Sequence, residues 1–482
     1  MKPIVWTVAG TDPGSGAGIQ GDLRTLNGLG VYGCSVITAI LAQNTLGVQR
    51  VEFTPADLVA AQLESLRGDL PPAAIKIGML GTAGAARAAA RVLRDLDAFV
   101  VYDPVMGSSS GHGLMAPDLL PAVTGEVLPL VDILTPNLPE AQRLTGRAIR
   151  GAEDMPPIAR ALLSMGPRSV LLKGGHSGDQ EYCQDFWTDG KDSWWLTSPR
   201  RAVRHTHGTG CTFSSAAAAA LARGFPIDDA LVLAKAYVNQ GLRLGGGIGH
   251  GRGPLAHEGW PAHSDDAPWM TADAASGRSR PEFPPCGKPM GLYPIVDRAA
   301  WIGKLAPLGV SLIQLRAKDL SGEALDSEAR EAVRLARATN VRLVINDRAD
   351  LALRHGAWGV HLGQEDLPGS EIASIANGGL RLGVSVRSYA DMARALALRP
   401  SYIGLGAVYA TGTKAIDYQP LGVEFFGRLR SWSRVPAVAI GGITVENAQP
   451  LRNAGADGFA VVSDLRDAAD LAERVRAWQA LT

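Results

Sequence analysis

The run Leu312-Ile313-Gln314-Leu315-Arg316-Ala317-Lys318 sets an amide and two cations at every second position. On a strand this spacing turns Gln314, Arg316 and Lys318 to one face. A planar guanidinium beside a point-charge ammonium suits a pyrophosphate; a strand end whose polar side faces water is the plainer reading. Two further runs end in acids, Val344-Ile345-Asn346-Asp347 and Val360-His361-Leu362-Gly363-Gln364-Glu365-Asp366. On adjacent strands Asp347 and Asp366 come level, and paired carboxylates beside a cationic wall point to Mg²⁺ bridging protein and phosphate. Helix capping is the competing role, above all for Asp366 ahead of Leu367-Pro368-Gly369. His361 points into the same region, as a packed residue or as part of the site. Tyr409-Ala410-Thr411-Gly412-Thr413-Lys414 joins hydroxyls, a Gly turn and a Lys into a second anion-binding loop. Gly441-Gly442-Ile443 and Val461-Val462-Ser463 match the turns after strands seven and eight that bind phosphate in barrels.

The first half carries a different chemistry. His207-Gly208-Thr209-Gly210-Cys211 opens an Ala-rich stretch. Gly208, Thr209 and Gly210 would present bare backbone N–H groups at a helix N-terminus, an anion hole for a transferring phosphoryl group. Cys211 falls in the first turn, where its pKa is expected to be lowered. A small-residue packing helix with a buried Cys is the competing reading. Asn137 and Glu140, three residues apart after Thr135-Pro136, share a helix face; they either position Mg²⁺ and nucleotide phosphates or form a capping pair. Lys173 and Asp103 each end a strand candidate. Gly14-x-Gly16-x-Gly18 near the start lacks the dinucleotide spacing, and there is no Walker A sequence, so any ATP use belongs to another fold.

These groups need scaffolds. In the first part, strand candidates at Ile4–Ala9, Ser35–Ile40, Ala74–Ile77, Phe99–Tyr102, Ile133–Thr135 and Val170–Lys173 alternate with helical stretches. That predicts a mostly parallel α/β sheet with helices on both faces, with Trp187 and Trp194–Leu196 as an antiparallel edge. After Met290 eight β-rich runs recur: Leu292–Val296, Leu312–Leu315, Leu343–Ile345, Gly359–Leu362, Arg381–Val386, Tyr402–Val408, Ala437–Ile440 and Gly458–Val462. Eight β-then-α units predict a (β/α)8 TIM barrel with short helices and loops; an open doubly wound sheet is the alternative. Between them the periodicity stops, and Pro, Gly, Ser and charge dominate. The expected domains are 1–256 and 290–482, with a flexible linker at 257–289.

The barrel motifs carry a resemblance. Gln-Leu-Arg-x-Lys-Asp (314–319), Asn-Asp (346–347), His-Leu-Gly-Gln-Glu-Asp-Leu (361–367), Gly-Val-Ser (383–385), Thr-x-Thr-Lys (411–414) and Ala-Ile-Gly-Gly-Ile (439–443) resemble thiamine-phosphate synthase over the whole barrel. The resemblance implies condensation of 4-amino-5-hydroxymethyl-2-methylpyrimidine diphosphate with a thiazole phosphate, releasing pyrophosphate. It implies that Gln314, Arg316 and Lys318 hold the pyrophosphate and that Asn346 meets the pyrimidine. Ser385 and Lys414 would stabilise the leaving group, and Asp347 and Asp366 would bind Mg²⁺. Thr411, Thr413, Gly442, Val462 and Ser463 would hold the thiazole phosphate. Ala410 where Pro is frequent, and Arg387 where His is, depart from the family pattern.

Residues 3–257 resemble the ribokinase-type hydroxymethylpyrimidine/phosphomethylpyrimidine kinases. The motifs are Ala-Gly-Thr-Asp-Pro-Gly-Ser-Gly-Ala-Gly-Ile-Gln (9–20), Thr-Ala-Ile-Leu-Ala-Gln-Asn-Thr (38–45), Lys-Ile-Gly-Met-Leu-Gly (76–81), Asp-Pro-Val-Met (103–106), Thr-Pro-Asn-Leu-Pro-Glu-Ala (135–141) and His-Gly-Thr-Gly-Cys-Thr (207–212). The resemblance implies two ATP-dependent phosphorylations with Cys211 as base and Lys173 in the catalytic set. Gln43 would pair with the aminopyrimidine, with Gly10 and Asp22 beside it and Met79 and Val105 walling the ring. Asp103, Asn137 and Glu140 would serve ATP and Mg²⁺. Ser108-Ser109-Ser110-Gly111-His112 lacks a Lys common before Ser-Gly, leaving Ser108 or His112 as the replacement. A homodimer through this domain is implied as well. Consecutive steps in one chain imply a bifunctional enzyme of thiamine biosynthesis. The rivals are a pyridoxal-type kinase joined to a thiazole tautomerase, and a non-catalytic sensor of thiamine precursors.

Composition agrees. Apolar residues are 46% and charged residues 20% of 482, so the chain is not mostly disordered. Lys+Arg and Asp+Glu are both 47, which argues against a whole-chain polyanion binder and so against nucleic acid as partner, though not against a local basic pocket for phosphates; the small-molecule partners are those that the resemblance implies. Four scattered cysteines (34, 183, 211, 286) read as free thiols in a reducing cytoplasm. The apolar run after Met1 is too short for a signal peptide, and no run of about 18 apolar residues predicts a membrane span.

Overall fold

The computed structural model describes residues 2–107, 114–368, 371–412 and 419–482 and falls into two units, Met1–Arg278 and Ser279–Thr482. In the first, ten strands form one sheet: β1 (Ile4–Gly10), β2 (Tyr32–Asn44), β3 (Gly47–Phe53), β4 (Ala74–Ile77), β5 (Phe99–Tyr102), β6 (Ile133–Leu134), β7 (Ser169–Leu172), β8 (Tyr182–Thr188), β9 (Ser193–Pro199) and β10 (Trp269–Thr271). Their order is β10-β9-β8-β7-β6-β5-β4-β1-β2-β3. The six central strands, β2 to β7 across β1, run parallel; the outer ones are antiparallel. Every residue of β4 and β7 is buried, as a parallel strand covered on both faces requires. The helix Thr209–Ala222 is buried from Thr212 to Leu221, and its run of alanines lets it lie close to the sheet. Its first turn reaches the C-terminal ends of the parallel strands.

The expected parallel strands are all present, several within a residue of their predicted bounds. Two strands were not expected. β3 follows β2 through a tight turn and makes one edge of the sheet. Trp187 and Trp194–Leu196 lie on the expected antiparallel strands, β8 and β9, and β10, from within the predicted linker, pairs outside β9 as one strand more. The chain around it is fastened from outside. Asp266 is fully buried and takes Arg243 at 2.6 and 2.8 Å, while its carbonyl accepts from Asn239 at 2.9 Å. The free linker at 257–289 is therefore corrected: residues through Arg278 belong to the first unit.

In the second unit eight parallel strands close into a barrel: β11 (Gly291–Val296), β12 (Leu312–Leu315), β13 (Arg342–Asn346), β14 (Gly359–Leu362), β15 (Arg381–Val386), β16 (Tyr402–Leu405), β17 (Ala437–Ile440) and β18 (Gly458–Val461). Only the sixth differs much from expectation, ending at Leu405 instead of Val408. Helices such as Ala300–Leu305, Ile372–Asn377 and Gln449–Asn453 are short, which is how the barrel fits its span. Leu312, Val344, Val438 and Ala460 pack its interior with Tyr293 and Tyr402.

Under the sheet's C-terminal edge in the first unit lies a buried ion pair. Lys76 Nζ meets Asp22 Oδ2 at 2.7 Å with both side chains fully buried. Thr7 donates to the same oxygen at 2.6 Å and Ser215 to Oδ1 at 2.8 Å. Burial pulls the Lys76 ammonium toward losing its proton, but Asp22 more than offsets it and the pKa rises. Asp22→Ala leaves that ammonium uncompensated and should cost the first unit about 3–5 kcal/mol. Urea unfolding of the full chain, read beside the second unit's activity, should show loss confined to the first unit.

Candidate active sites

In the first unit, backbone geometry sets the turn from Gly208 to Cys211. Gly208 caps the helix Thr209–Ala222 in the left-handed region (φ +85°), and a Cβ there would stand 1.7 Å from the Gly16 carbonyl. Only glycine fits. Thr209, Gly210 and Cys211 follow as the first helical turn. Lys173 Nζ pairs with Asp103 Oδ1 at 2.6 Å, and both atoms' groups lie against Gly210: a Cβ on that residue would meet Lys173 Nζ and Asp103 Oδ2 at 3.0 Å. Lys173, Asp103 and the helix N-terminus, drawn from three distant segments, thus meet at one point.

Glu140 joins them electrostatically. Burial pushes its carboxyl up to about 7; Lys173 and Asn137 pull down, while Asp103 adds to the rise. Asn137 and Glu140 form a capping box, with Asn137 N donating to Glu140 Oε2 at 2.7 Å and Glu140 N to Asn137 Oδ1 at 2.9 Å. The capping alternative is thus realised, on a helix whose N-terminus faces the Lys173–Asp103 pair.

Cys211 differs from expectation. Burial pushes its thiol up to about 11, and the nearby Asp22 and Asp103 add to this; the Lys76 ammonium and the Gly18 N–H oppose it without prevailing. The helix N-terminus does not lower it, because desolvation of the thiolate in a closed corner is the larger effect. Asp22 is also displaced from its expected role: fully buried, with both oxygens engaged, it supports the site from beneath and presents nothing to a pyrimidine.

Met79 and Leu41 pack around Gly10, with Val105 against the same small apolar cluster. Gln43 lies two residues beyond Leu41 on β2, and its Nε2 is 3.1 Å from His207 Nε2. His207 in turn lies 2.8 Å from Asp12 Oδ2. The same Asp12 accepts from the N–H groups of Gly14, Gly16 and Ala17. Burial raises the Asp12 pKa, but His207 and these amides outweigh it and the net shift is downward. Asp12 and His207 were missed as site residues, although both stand in the quoted motifs. Ser108 and His112 lie outside the described residues.

In the barrel, the expected residues lie at the C-terminal ends of the strands, where this architecture carries chemistry. Gln314 is 3% exposed and donates to the Tyr293 hydroxyl at 2.9 Å, deeper than Arg316 and Lys318, which lie past the end of β12. Lys318 pairs with Asp347, which follows Asn346 and holds a positive φ of 63°. A non-glycine there is strained, as backbone at functional positions often is. Asp366 has its pKa raised by burial, by the Asp347 charge and by a hydrogen bond between the two carboxyls. Two acids forced together fit a shared hard cation. Among the described residues no three His, Cys, Asp or Glu side chains form a complete cage. Two carboxylates completed by water and phosphate oxygens is a donor set that suits Mg²⁺.

His361 lies beneath, with Nε2 at 2.9 Å from Ser385 Oγ and Nδ1 at 3.0 Å from the Tyr402 hydroxyl. Burial pushes it down to about 4, so the ring is neutral. Gly442 (φ +65°) lets its turn close on the strand-six loop, where a Cβ would meet the Ala410 carbonyl at 2.3 Å. Val462 and Ser463 lead into a four-residue helix after β18, and Val462 and Arg316 line one cavity. Thr411 is half-buried in the facing loop; Thr413 and Lys414 lie outside the described residues.

Comparison with known proteins fits these two sites. Residues 12–256 match the phosphomethylpyrimidine kinase family and residues 292–465 the thiamine monophosphate synthase family. The chain is 37% identical over 480 residues to the chloroplastic thiamine biosynthetic bifunctional enzyme of Arabidopsis thaliana, covering 96% of this chain and 90% of that one. It is 46% identical over 260 residues to the hydroxymethylpyrimidine/phosphomethylpyrimidine kinase of Rhizobium meliloti, over 53% of this chain and 97% of that one. Among solved structures, the pyridoxal kinase of Staphylococcus aureus in complex with AMP-PCP superposes with a TM-score of 0.52 at 33% identity, over 56% of this chain and 99% of that one. With one family matched by each unit and a two-activity relative matched along nearly the whole length, the chain belongs to the bifunctional thiamine biosynthetic enzymes, a pyrimidine kinase and a thiamine-phosphate synthase in one polypeptide.

Proposed function

We propose that the first unit phosphorylates 4-amino-5-hydroxymethyl-2-methylpyrimidine twice with ATP, and that the barrel condenses the resulting diphosphate with 4-methyl-5-(2-phosphoethyl)thiazole. The observation that carries the reading is the barrel mouth, where Asp347 and Asp366 touch beside Lys318. A thiazole tautomerase handles no diphosphate and has no use for this arrangement.

In the kinase, the slot of Met79, Val105 and Gly10 takes the pyrimidine ring, and Gln43 reads its amino group. The N–H groups of Gly210 and Cys211 and the Lys173 ammonium face the phosphoryl group in transfer. Asp103 and Glu140 would hold Mg²⁺ with the nucleotide phosphates. Cys211 takes the proton from the nucleophile. Its raised thiol pKa makes the thiolate scarce at neutral pH, and Lys76 stabilises it as it forms.

In the synthase, Arg316 and Lys318 bind the diphosphate, Gln314 lies beneath it and Asn346 orients the pyrimidine. Asp347 and Asp366 would hold Mg²⁺, which when bound neutralises charge on the departing pyrophosphate. Ser385 and Lys414 complete the anion site. Thr411, Thr413, Gly442, Val462 and Ser463 hold the thiazole phosphate.

The partners are these small molecules and a second copy of the chain. Dimerisation through the kinase unit is supported by the edge formed by β2 and β3, where Ile40 (62% exposed), Leu46 (67%) and Phe53 (39%) face solvent. A cytoplasmic location is supported by four free cysteines, and among the described residues no helix is long and apolar enough to cross a membrane.

Supplied with Mg·ATP, hydroxymethylpyrimidine and thiazole phosphate, the protein should make thiamine phosphate; silence even with the preformed pyrimidine diphosphate would sink the synthase assignment. Cys211→Ala should lower the kinase rate by about 10²–10⁴-fold and spare the synthase. The wild-type kinase rate should climb with pH toward the thiol's value near 11; a flat profile removes the thiolate from the mechanism. Asp366→Asn should cripple only the synthase and weaken its dependence on Mg²⁺. Sedimentation should give a dimer that Ile40→Glu and Leu46→Glu dissociate.

A further inference from the structure

A continuous chain of polar groups crosses the barrel core. Gln314 Nε2 donates to the Tyr293 hydroxyl at 2.9 Å. The Tyr293 and Tyr402 hydroxyls lie 2.8 Å apart. The Tyr402 hydroxyl lies 3.0 Å from His361 Nδ1, and His361 Nε2 lies 2.9 Å from Ser385 Oγ. Tyr293 is 1%, Tyr402 0% and His361 8% exposed. The strands supplying these groups are β11, β12, β14, β15 and β16, so the chain is built from the barrel and not from a loop.

Proton counting gives this chain a direction. Each hydroxyl has one proton, and a neutral imidazole has one N–H. Gln314 already donates to Tyr293, so the Tyr293 proton goes to the Tyr402 oxygen. The Tyr402 proton then goes to His361 Nδ1, which must be bare. The ring N–H therefore sits on Nε2 and donates to Ser385 Oγ. Ser385 accepts from below, which leaves its own proton for another acceptor. The opposite order gives Tyr293 two donors and leaves its own proton without an acceptor in the core, a costly arrangement. The serine backbone is held too, since Gln364 Nε2 donates to the Ser385 carbonyl at 2.7 Å.

We propose that Tyr293, Tyr402 and His361 are positioning residues that fix the Ser385 hydroxyl as a hydrogen-bond donor to the diphosphate leaving group. The proposal rests on the synthase reading above. As the bond between the pyrimidine methylene carbon and the diphosphate oxygen breaks, its electron pair stays on that oxygen. A hydroxyl hydrogen aimed there stabilises the charge; a lone pair aimed there opposes it. The core chain selects the first by fixing a tautomer some distance away, and none of its three middle members needs to touch substrate.

The test uses the full chain, with preformed pyrimidine diphosphate and thiazole phosphate. Tyr402→Phe keeps the His361–Ser385 contact but frees the imidazole to adopt either tautomer. It should lower kcat about tenfold and leave KM within about twofold. Tyr293→Phe should act alike. Ser385→Ala with Tyr402→Phe should be no slower than Ser385→Ala alone, because the chain acts through the serine. An unchanged KM for both substrates and an unchanged urea unfolding midpoint of the barrel control for folding. In ¹⁵N-histidine spectra, with the His361 signal identified by its loss in His361→Gln, Nε2 should carry the proton in the wild type and both tautomers should appear in Tyr402→Phe. An unchanged kcat in Tyr402→Phe, losses that multiply in the double variant, or a wild-type proton on Nδ1 each overturns the proposal. Absence of turnover in the wild type overturns the synthase reading, while the tautomer still decides the core chain.

Discussion

A parallel strand covered on both faces has no solvated side, so polar side chains have one place to gather: the edge where the carboxyl ends emerge. Both units of this enzyme obey that constraint. In the first, β1, β2, β4, β5 and β7 bring Gly10, Gln43, Met79, Asp103 and Lys173 to a single edge, where the Gly208–Cys211 turn closes over them. In the second, closure of the sheet turns the edge into a ring, and Arg316, Asp347, Asp366, Ser385, Gly442 and Val462 stand around it. The two sites catalyse different reactions on scaffolds with the same polarity.

Charge is managed differently at the two edges. The kinase site rests on groups sealed from water. Lys76 and Asp22 are fully buried, and Lys173 and Asp103 nearly so. Burial raises Glu140 to about 7, where small local changes alter its protonation, and Cys211 to about 11, where the thiol keeps its proton at neutral pH. The synthase mouth is more open. Lys318 is more than half exposed, and the crowding of Asp347 and Asp366 is relieved most readily by a cation. A phosphoryl group moving from a bound nucleotide to a bound alcohol benefits from a dry cradle, whereas a diphosphate that must enter and a pyrophosphate that must leave need access to water.

Much of this was legible in the sequence because the informative residues lie in regular elements. Alternation in Leu312–Lys318 marks a barrel strand without any partner being known, and eight such runs imply closure. What stayed hidden depends on contacts between distant segments. β10 is three residues long amid Pro, Ser and Asp; it pairs with β9, and Asp266 just before it is held by Arg243 and Asn239 from elsewhere in the unit. The raised Cys211 thiol could not be read from its helix position, since the opposing effect is burial among Asp22 and Asp103. Tyr293 and Tyr402 look like ordinary core aromatics in sequence, and only their hydroxyl contacts reveal a polar line. His207 and Asp12 stood in view within their motifs, but their pairing spans nearly two hundred residues of chain.

The contact between Gly208 and Gly16 bears on how this enzyme can diverge. The turn at Gly208 and the loop that follows β1 meet backbone against backbone, with no side chain between them to absorb a change. Position 208 will therefore tolerate nothing else in a saturation library, although glycine offers no side-chain chemistry. Lineages that drift toward a new alcohol substrate must do so through other residues, such as the Gln43, Met79 and Val105 proposed to meet the pyrimidine, because this corner is inherited as one piece.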